Sequence, residues 1–273
     1  MTYISGSEVE YYYKKDSPVI ENCDFSIERG KMTAILGKNG CGKSTLVKLI
    51  TALLPLTAGK ITFDDIDIST VEGIGMVRTH CGIVFQNPDN QFVSPIIADD
   101  IAFGLSNHQI PESEYTERIS EALKKVDLSG FEKRSFSTLS GGQKQRAALA
   151  GVLAINNDIL IFDEASSMLD PAGKDDLRQL IEKLRDQNKT IIIISQNIAD
   201  VINADRIILM ADHNILMTGT AHDVLTDYEM LEHAGVQIPF PVLVYRDLLQ
   251  KGIRMDRCPL TDKEFAEEIC KLI

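Results

Sequence analysis

No apolar run in the 273-residue sequence approaches the roughly 20 residues that a membrane-spanning helix needs. A spanning segment is not expected. The first nine residues carry neither a basic segment nor an apolar core, so no secretory leader is expected and the chain should stay in the cytosol. Basic charge is also scarce: 28 Lys and Arg against 40 Asp and Glu give a formal charge of −12, a poor footprint for gripping nucleic acid by its phosphates. Any anionic ligand must be held by a local constellation instead. The five cysteines (Cys23, Cys41, Cys81, Cys258 and Cys270) are odd in number and lack CxxC spacing, which argues against a zinc site or a disulfide framework. They read as reduced thiols. Repeats, low-complexity tracts and sustained heptads are missing too. What is present, 44% hydrophobic and 25% charged residues, is an average globular composition for one large core with a satellite, or for two modest domains.

Organisation must therefore come from periodicity and breakers. Residues 8–35 read as strands: Tyr11 and Tyr13 alternate, Cys23, Phe25 and Ile27 alternate, and Met32 to Leu36 is a short apolar run that stops at Gly37. Past a glycine-rich loop, Leu46, Leu49, Ile50 and Leu53 follow helical spacing up to Pro55. Asn87 to Asn157 is mainly helical, with Tyr115, Ile119, Ala122, Leu123 and Val126 on one stripe, and reads as an inserted subdomain. Ile159–Phe162 and Ile191–Ile194 are wholly apolar, as strands buried on both faces should be. Between them Asp170 as N-cap and Pro171 at the first helical position open a helix with Leu177, Leu180, Ile181 and Leu184 on one face. Strand, helix, strand implies a parallel sheet. The tail from about residue 228 is interrupted by Pro239 and Pro241, and Thr261 with Glu264 forms a capping box before Phe265, Ile269 and Leu272.

Chemistry concentrates first in Gly37-Lys38-Asn39-Gly40-Cys41-Gly42-Lys43-Ser44, which fits G-x-x-x-x-G-K-[ST] between an expected strand and an expected helix. The glycines let backbone N–H groups close around phosphate oxygens, and the helix N-terminus adds positive potential. Lys43 would reach the terminal phosphates of a nucleotide and Ser44 would offer its hydroxyl to Mg²⁺; Gly37, Asn39, Gly40, Cys41, Gly42 and Thr45 complete the nucleotide-binding set. An ordinary glycine-rich turn is the bland alternative, and the flanking elements speak against it. The thiol of Cys41 is expected to have a pKa lowered by the amides and Lys43, hence to be open to alkylation that ATP would block; a small residue chosen for packing is the competing explanation. A second motif, Ile159 to Glu164, is an apolar strand ending in two carboxylates. Asp163 stands where a Mg²⁺ shell needs an anion, and Glu164 could polarise the attacking water. These two motifs leave kinase, GTPase and ATPase open.

Leu139-Ser140-Gly141-Gly142-Gln143, followed by Lys144-Gln145-Arg146, resembles the signature of ATP-binding-cassette (ABC) ATPases. Physically it is a second phosphate site, a Ser side chain with Gly backbone amides at a helix start. One chain cannot easily use both sites on one nucleotide, so the pattern implies a head-to-tail dimer with ATP sandwiched between subunits. Ser140, Gly141, Gly142 and Gln143 would then meet the partner's ATP. The resemblance covers about residues 3–225 and implies an α/β P-loop NTPase fold: a RecA-like parallel sheet, an antiparallel β subdomain, an inserted helical subdomain and a small C-terminal helical region. It also implies roles for further residues. Gln86 matches the glutamine that contacts Mg²⁺ or attacking water, Ser166 to Asp170 resemble the loop crossing the dimer interface, and Tyr13 sits where an aromatic residue stacks on adenine, with Tyr11 and Tyr12 as adjacent candidates.

A narrower resemblance rests on Phe85 to Phe92, Asp99 to Leu105, and the tail stretches Ile238 to Pro241 and Leu248 to Ile253. These look like the ATPase component of energy-coupling-factor transporters, a group that includes cobalt and nickel ATPases. It implies an ABC ATPase domain at 3–227, with the helical subdomain at about 87–157, and a separate helical region at 228–273. It further implies Mg²⁺-assisted attack of water on the γ-phosphate of ATP, powering uptake of a vitamin or metal ion from the cytoplasmic face of the membrane. The partners would be a second ABC ATPase subunit, a transmembrane coupling component and a membrane substrate-binding component. Another importer class, a soluble ABC protein of translation or DNA repair, and a non-hydrolysing regulatory subunit are the alternatives. One departure stands out: where the family carries a switch histidine, this chain reads Ser195-Gln196-Asn197. Gln196 can donate a hydrogen bond to a γ-phosphate but carries no positive charge, so hydrolysis at this chain's own loop is in question and a heterodimer is favoured over a homodimer.

Overall fold

A computed structural model describes residues 1–14 and 17–272. Lys15, Asp16, Ile273 and the side chain of Leu272, the last member of the tail's apolar stripe, lie outside the described residues. The chain divides into two units, the first formed by Met1–Glu28, Met32–Asp65 and Ile193–Ile273, the second by Arg29–Lys31 and Ile66–Ile192.

The first unit opens with β1 (Thr2–Lys14) and β2 (Ser17–Glu28), paired antiparallel. Strand structure starts six residues earlier than the alternation suggests, because Tyr3 and Ile4 are buried and Ile4 lies opposite both Ile27 and Phe63. β3 (Met32–Leu36), buried at all five positions, feeds the glycine loop and then α1 (Lys43–Ile50). β4 (Ala58–Phe63) pairs antiparallel with β1. The helical stripe ends one turn short of the expected Leu53. Ala52 turns left-handed at φ 52° and the Leu53 N–H bonds back to the Lys48 carbonyl at 2.8 Å, a Schellman-type close that leaves Leu53 50% exposed.

The second unit contains β5 (Ile66–Asp67), α2 (Val71–His80), β6 (Cys81–Val84), α3 (Ile97–Asn107), α4 (Tyr115–Lys125), α5 (Gly141–Ile155), β7 (Ile159–Asp163) and α6 (Pro171–Asp186). β6 and β7 pair in parallel, Cys81 opposite Ile159 through Val84 opposite Phe162. α3, α4 and α5 pack on one another, burying Ile101, Leu105, Ile119, Ala122 and Leu123. α6 starts as its sequence dictates: Asp170 accepts from the Gly173 N–H at 2.9 Å, and Pro171 occupies the first turn, where no N–H is required. β8 (Thr190–Ser195) follows, buried throughout. Ile191, Ile192 and Ile194 are wholly inaccessible. Each such side chain contributes about 1.5–3 kcal/mol by leaving water.

The chain returns to the first unit at Ile193, within β8, and continues with α7 (Ile198–Val201), β9 (Arg206–Ala211), β10 (Asn214–Gly219), α8 (Ala221–Leu225), α9 (Tyr228–His233), α10 (Phe240–Gln250) and α11 (Asp262–Leu272). β9 pairs parallel with β3 and antiparallel with β10. Parallel and antiparallel pairs with interleaved helices make this an α/β fold, with the glycine loop between β3 and α1 where the P-loop NTPase expectation puts it. In the tail, Thr261 and Glu264 make the expected reciprocal cap. Pro239 and Pro241 do not interrupt a helix but start one, since they occupy the cap and first turn of α10.

Candidate active site

The glycine loop is shaped by backbone demands. Gly42 caps α1 at φ 108°, and a Cβ there would lie 2.6 Å from the Val19 carbonyl oxygen and 2.8 Å from the Ile20 side chain. Only glycine lets β2 come this near the start of the helix. Lys43 is 5% exposed and its ammonium donates to the carbonyls of Gly37 and Lys38, both at 2.9 Å. These bonds hold the cation inside the curve of the loop. Thr45 is buried one residue beyond Ser44, and its hydroxyl lies 3.4 Å from that of Tyr13. Among the three consecutive tyrosines, Tyr11 is buried and packs edge-on against Tyr13, Tyr12 bonds Glu10, and Tyr13 is 55% exposed beside the loop.

The expectation of a reactive Cys41 fails. The residue is 2% exposed, and burial pushes its thiol above the usual range, outweighing the opposing pull of Lys43. Packing, the competing explanation, accounts for it.

In the second unit β7 ends at Asp163, which is 5% exposed, and the chain turns at once into left-handed backbone at Glu164, φ 48°. That turn lifts the Glu164 carboxylate away from the strand's alternation. Gln86, two residues past β6, donates from Nε2 to Glu164 Oε2 at 2.7 Å. Residues 78 positions apart are thus joined as the parallel pairing of β6 and β7 requires. Asp163 and the side-chain carbonyl of Gln86 in this unit, like the Ser44 hydroxyl in the first, offer oxygen donors, which suit Mg²⁺ and not a thiophilic metal.

Ser140 caps α5: its Oγ accepts from the Gln143 N–H at 3.3 Å, while Gln143 Oε1 accepts from the Ser140 N–H at 3.0 Å. A Cβ on Gly141 or Gly142 would meet nothing nearer than 3.6 Å. Packing within the chain therefore gives no reason for glycine at these positions. Polar ties that sequence reasoning missed bind α5 to the segment from Phe85 to Gln91. Lys144 pairs with Asp89 at 2.7 Å, Gln145 donates to the Phe85 carbonyl at 3.2 Å, and Gln91 donates to the Ala148 carbonyl at 3.3 Å. Lys144 and Gln145 stand directly after the signature, which was the signal available for them. Back in the first unit, Gln196 is the exposed residue that follows β8, at a cavity of about 480 Å³ that it shares with Asn197, Ile198 and Gln237 to Phe240.

Comparison with known proteins matches residues 20–167 to the ABC transporter family. An energy-coupling factor transporter ATP-binding protein, EcfA1, of Oenococcus oeni is 43% identical over 255 residues, 93% of this chain and 92% of that protein. Its namesake from Ureaplasma parvum is 39% identical over 269 residues, 98% of this chain and 91% of that one. Among solved structures, cbiO1 from Clostridium perfringens, described as part of the ABC transporter complex cbiONQ, aligns with a TM-score of 0.74 at 32% identity over 90% of this chain and 100% of that one. A dimeric ATP-binding cassette in a post-hydrolysis state with ADP and Pi aligns with the same TM-score at 26% identity over 80% and 98%. Phosphate loop, carboxylate pair and signature, together with a likeness that runs nearly end to end, show that the chain belongs to the ABC transporter family as an ATP-hydrolysing transport ATPase, among the energy-coupling factor transporter ATP-binding proteins.

Proposed function

We propose that this chain is the ATP-driven motor subunit of an energy-coupling-factor importer that takes up a vitamin or a transition-metal ion through membrane partners. The observation that carries this reading is that the likeness to the O. oeni and U. parvum proteins spans 93% and 98% of the chain, through the tail, instead of stopping with the 20–167 cassette. Boundaries of 3–227 for the cassette and 228–273 for the C-terminal region go with it. ATP would sit on Gly37 to Thr45, with Tyr13 against adenine; the exposure of Tyr13 beside Thr45 supports it over Tyr11 and Tyr12. Mg²⁺, when bound by Ser44, Gln86 and Asp163, supplies charge neutralisation on the phosphates. Glu164 accepts the proton of the attacking water and Gln86 orients that carboxylate. Ser140, Gly141, Gly142 and Gln143 complete the partner's site, which supplies a reason for glycine where the chain's own packing gives none.

The membrane partners, a transmembrane coupling component and a substrate-binding component, would dock from the cytoplasmic side on the segment after Gln86. Val93 and Phe103, 67% and 48% exposed, border a cleft there of about 250 Å³ with Gln91, Asp100 and Gly104. No helix among the described residues is long and apolar enough to cross a membrane. Tagged chain drawn from detergent-solubilised membranes should bring down a second cassette and both membrane components, with slowed hydrogen exchange at residues 87–105. Recovery of the chain without membrane proteins, or protection restricted to the tail, would count against the reading.

A heterodimer with unequal sites is favoured by Gln196. On this reading Lys43, Asp163 and Glu164 would serve one site with a neutral residue at the switch position, whereas the intact signature would serve the other. Gln196→His in the assembled transporter should raise ATP turnover about tenfold, since hydrogen bonds from a charged donor are roughly twice as strong as neutral ones. An unchanged rate, or full activity of this subunit as a homodimer, would mean that glutamine substitutes adequately.

A further inference from the structure

The C-terminal region reaches the phosphate loop. The Lys38 N–H donates to the carbonyl of Ala234 at 3.3 Å, and the Lys38 ammonium meets Asp212 Oδ1 at 3.1 Å. The other oxygen of Asp212 meets His233 Nε2, also at 3.1 Å. Gly235, left-handed at φ 63°, lies so close that a Cβ there would be 3.4 Å from the Lys38 side chain. Asp212 itself occupies a left-handed turn between β9 and β10, and the hydrogen bonds from Lys38 and then His233 hold its carboxyl below the ordinary range. The Lys38 peptide is thus gripped on both sides: its N–H by the chain just past α9, its carbonyl by the Lys43 ammonium at 2.9 Å. A few residues further, Gln237 to Phe240 line the cavity that holds Gln196. One short connector between α9 and α10 therefore borders both the loop and the switch position.

We propose that Lys38 is a positioning residue through which the C-terminal region, by way of Asp212, His233 and Ala234, sets the resting place of Lys43 and hence the affinity for nucleotide. The inference rests on Gly37 to Thr45 being the nucleotide site. Lys38 is not asked to touch the phosphates. It fixes the carbonyl on which the phosphate-gripping cation waits, and a shift of that carbonyl moves the cation with it. Because Lys38 and Asp212 are about half exposed, at 47% and 58%, their pairing is screened and its contribution is modest.

The test is a titration of the full-length chain with ATP. Asp212→Ala and Lys38→Ala should each raise the dissociation constant about fivefold, the upper end for an exposed pair, and the double variant should be no worse than either single one. Asp212→Glu should recover most of the affinity, His233→Ala should give a smaller loss, and the changes in affinity should not track any fall in Tm from placing alanine in the left-handed turn. Unchanged affinity in Asp212→Ala, tighter binding from a released Lys38, strictly additive losses, or a fall in Tm that tracks affinity would each overturn the proposal. Lys43→Ala separates the two levels. If it still binds ATP, the nucleotide-site reading itself fails; if it loses ATP while Asp212→Ala binds normally, only the role of the tail fails.

Discussion

Lys43→Ala is expected to abolish ATP binding, raising the dissociation constant about a hundredfold or more. The ammonium of Lys43 is held inside the loop on the Gly37 and Lys38 carbonyls, 2.9 Å from each, where it can turn to terminal phosphates without first being gathered from solvent. A charge-assisted hydrogen bond contributes about 1.5–3 kcal/mol, and two of them lost together amount to a hundredfold or more. The loop also loses its internal tie, and two carbonyls lose their donor. Titration calorimetry with the full chain, beside a circular-dichroism check of folding, reads the result. A dissociation constant within about threefold of the parent, less than one such bond is worth, would remove Lys43 from the phosphate site.

Glu164→Gln is expected to lower ATP turnover by about 10²–10⁴, the range for losing a positioned base, while ATP binding survives. Shape is preserved by the substitution. Glutamine can still accept from Gln86 Nε2, now 2.7 Å from the carboxylate, so the link between the chain after β6 and the end of β7 persists. What disappears is the negative charge and its ability to take a proton from water. Because ATP is bound but not cleaved, the cassette dimer should accumulate closed, visible as an ATP-dependent shift in size-exclusion chromatography of the complex. Turnover within about threefold of wild type would mean that another group serves as the base.

Much of this site was legible along the chain because its parts are local. A loop that must wrap phosphate needs glycines at short spacing and a lysine at the helix start, and Gly37 to Ser44 supply them in eight consecutive residues. The cap of α5 at Ser140, the start of α6 at Asp170 and Pro171, and the capping box at Thr261 were equally readable, since each is settled by hydrogen bonds spanning three residues. The continuous apolar strands announced parallel pairing, because strands covered on both faces have no polar side to show.

Other features follow from contacts that no local pattern encodes. Cys41 sits among loop amides and near a cation, a neighbourhood that lowers a thiol's pKa; only the packing that buries it to 2% exposure reverses the direction. Helix α1 stops at Ile50 although helical spacing continues to Leu53, because closing bonds to Lys48 and Leu49 turn the chain away from the core. The hydrogen bond from Gln86 to Glu164 exists because β6 and β7 lie side by side, and the grip of Asp212, His233 and Ala234 on Lys38 exists because β9 pairs with β3 and carries the tail back to the loop. Sequence by itself determined the chemistry carried by each short segment, since backbone conformation and capping act over a few residues. Tertiary structure alone decided which segments meet, since pairing of distant strands and loss of water depend on the whole packed chain.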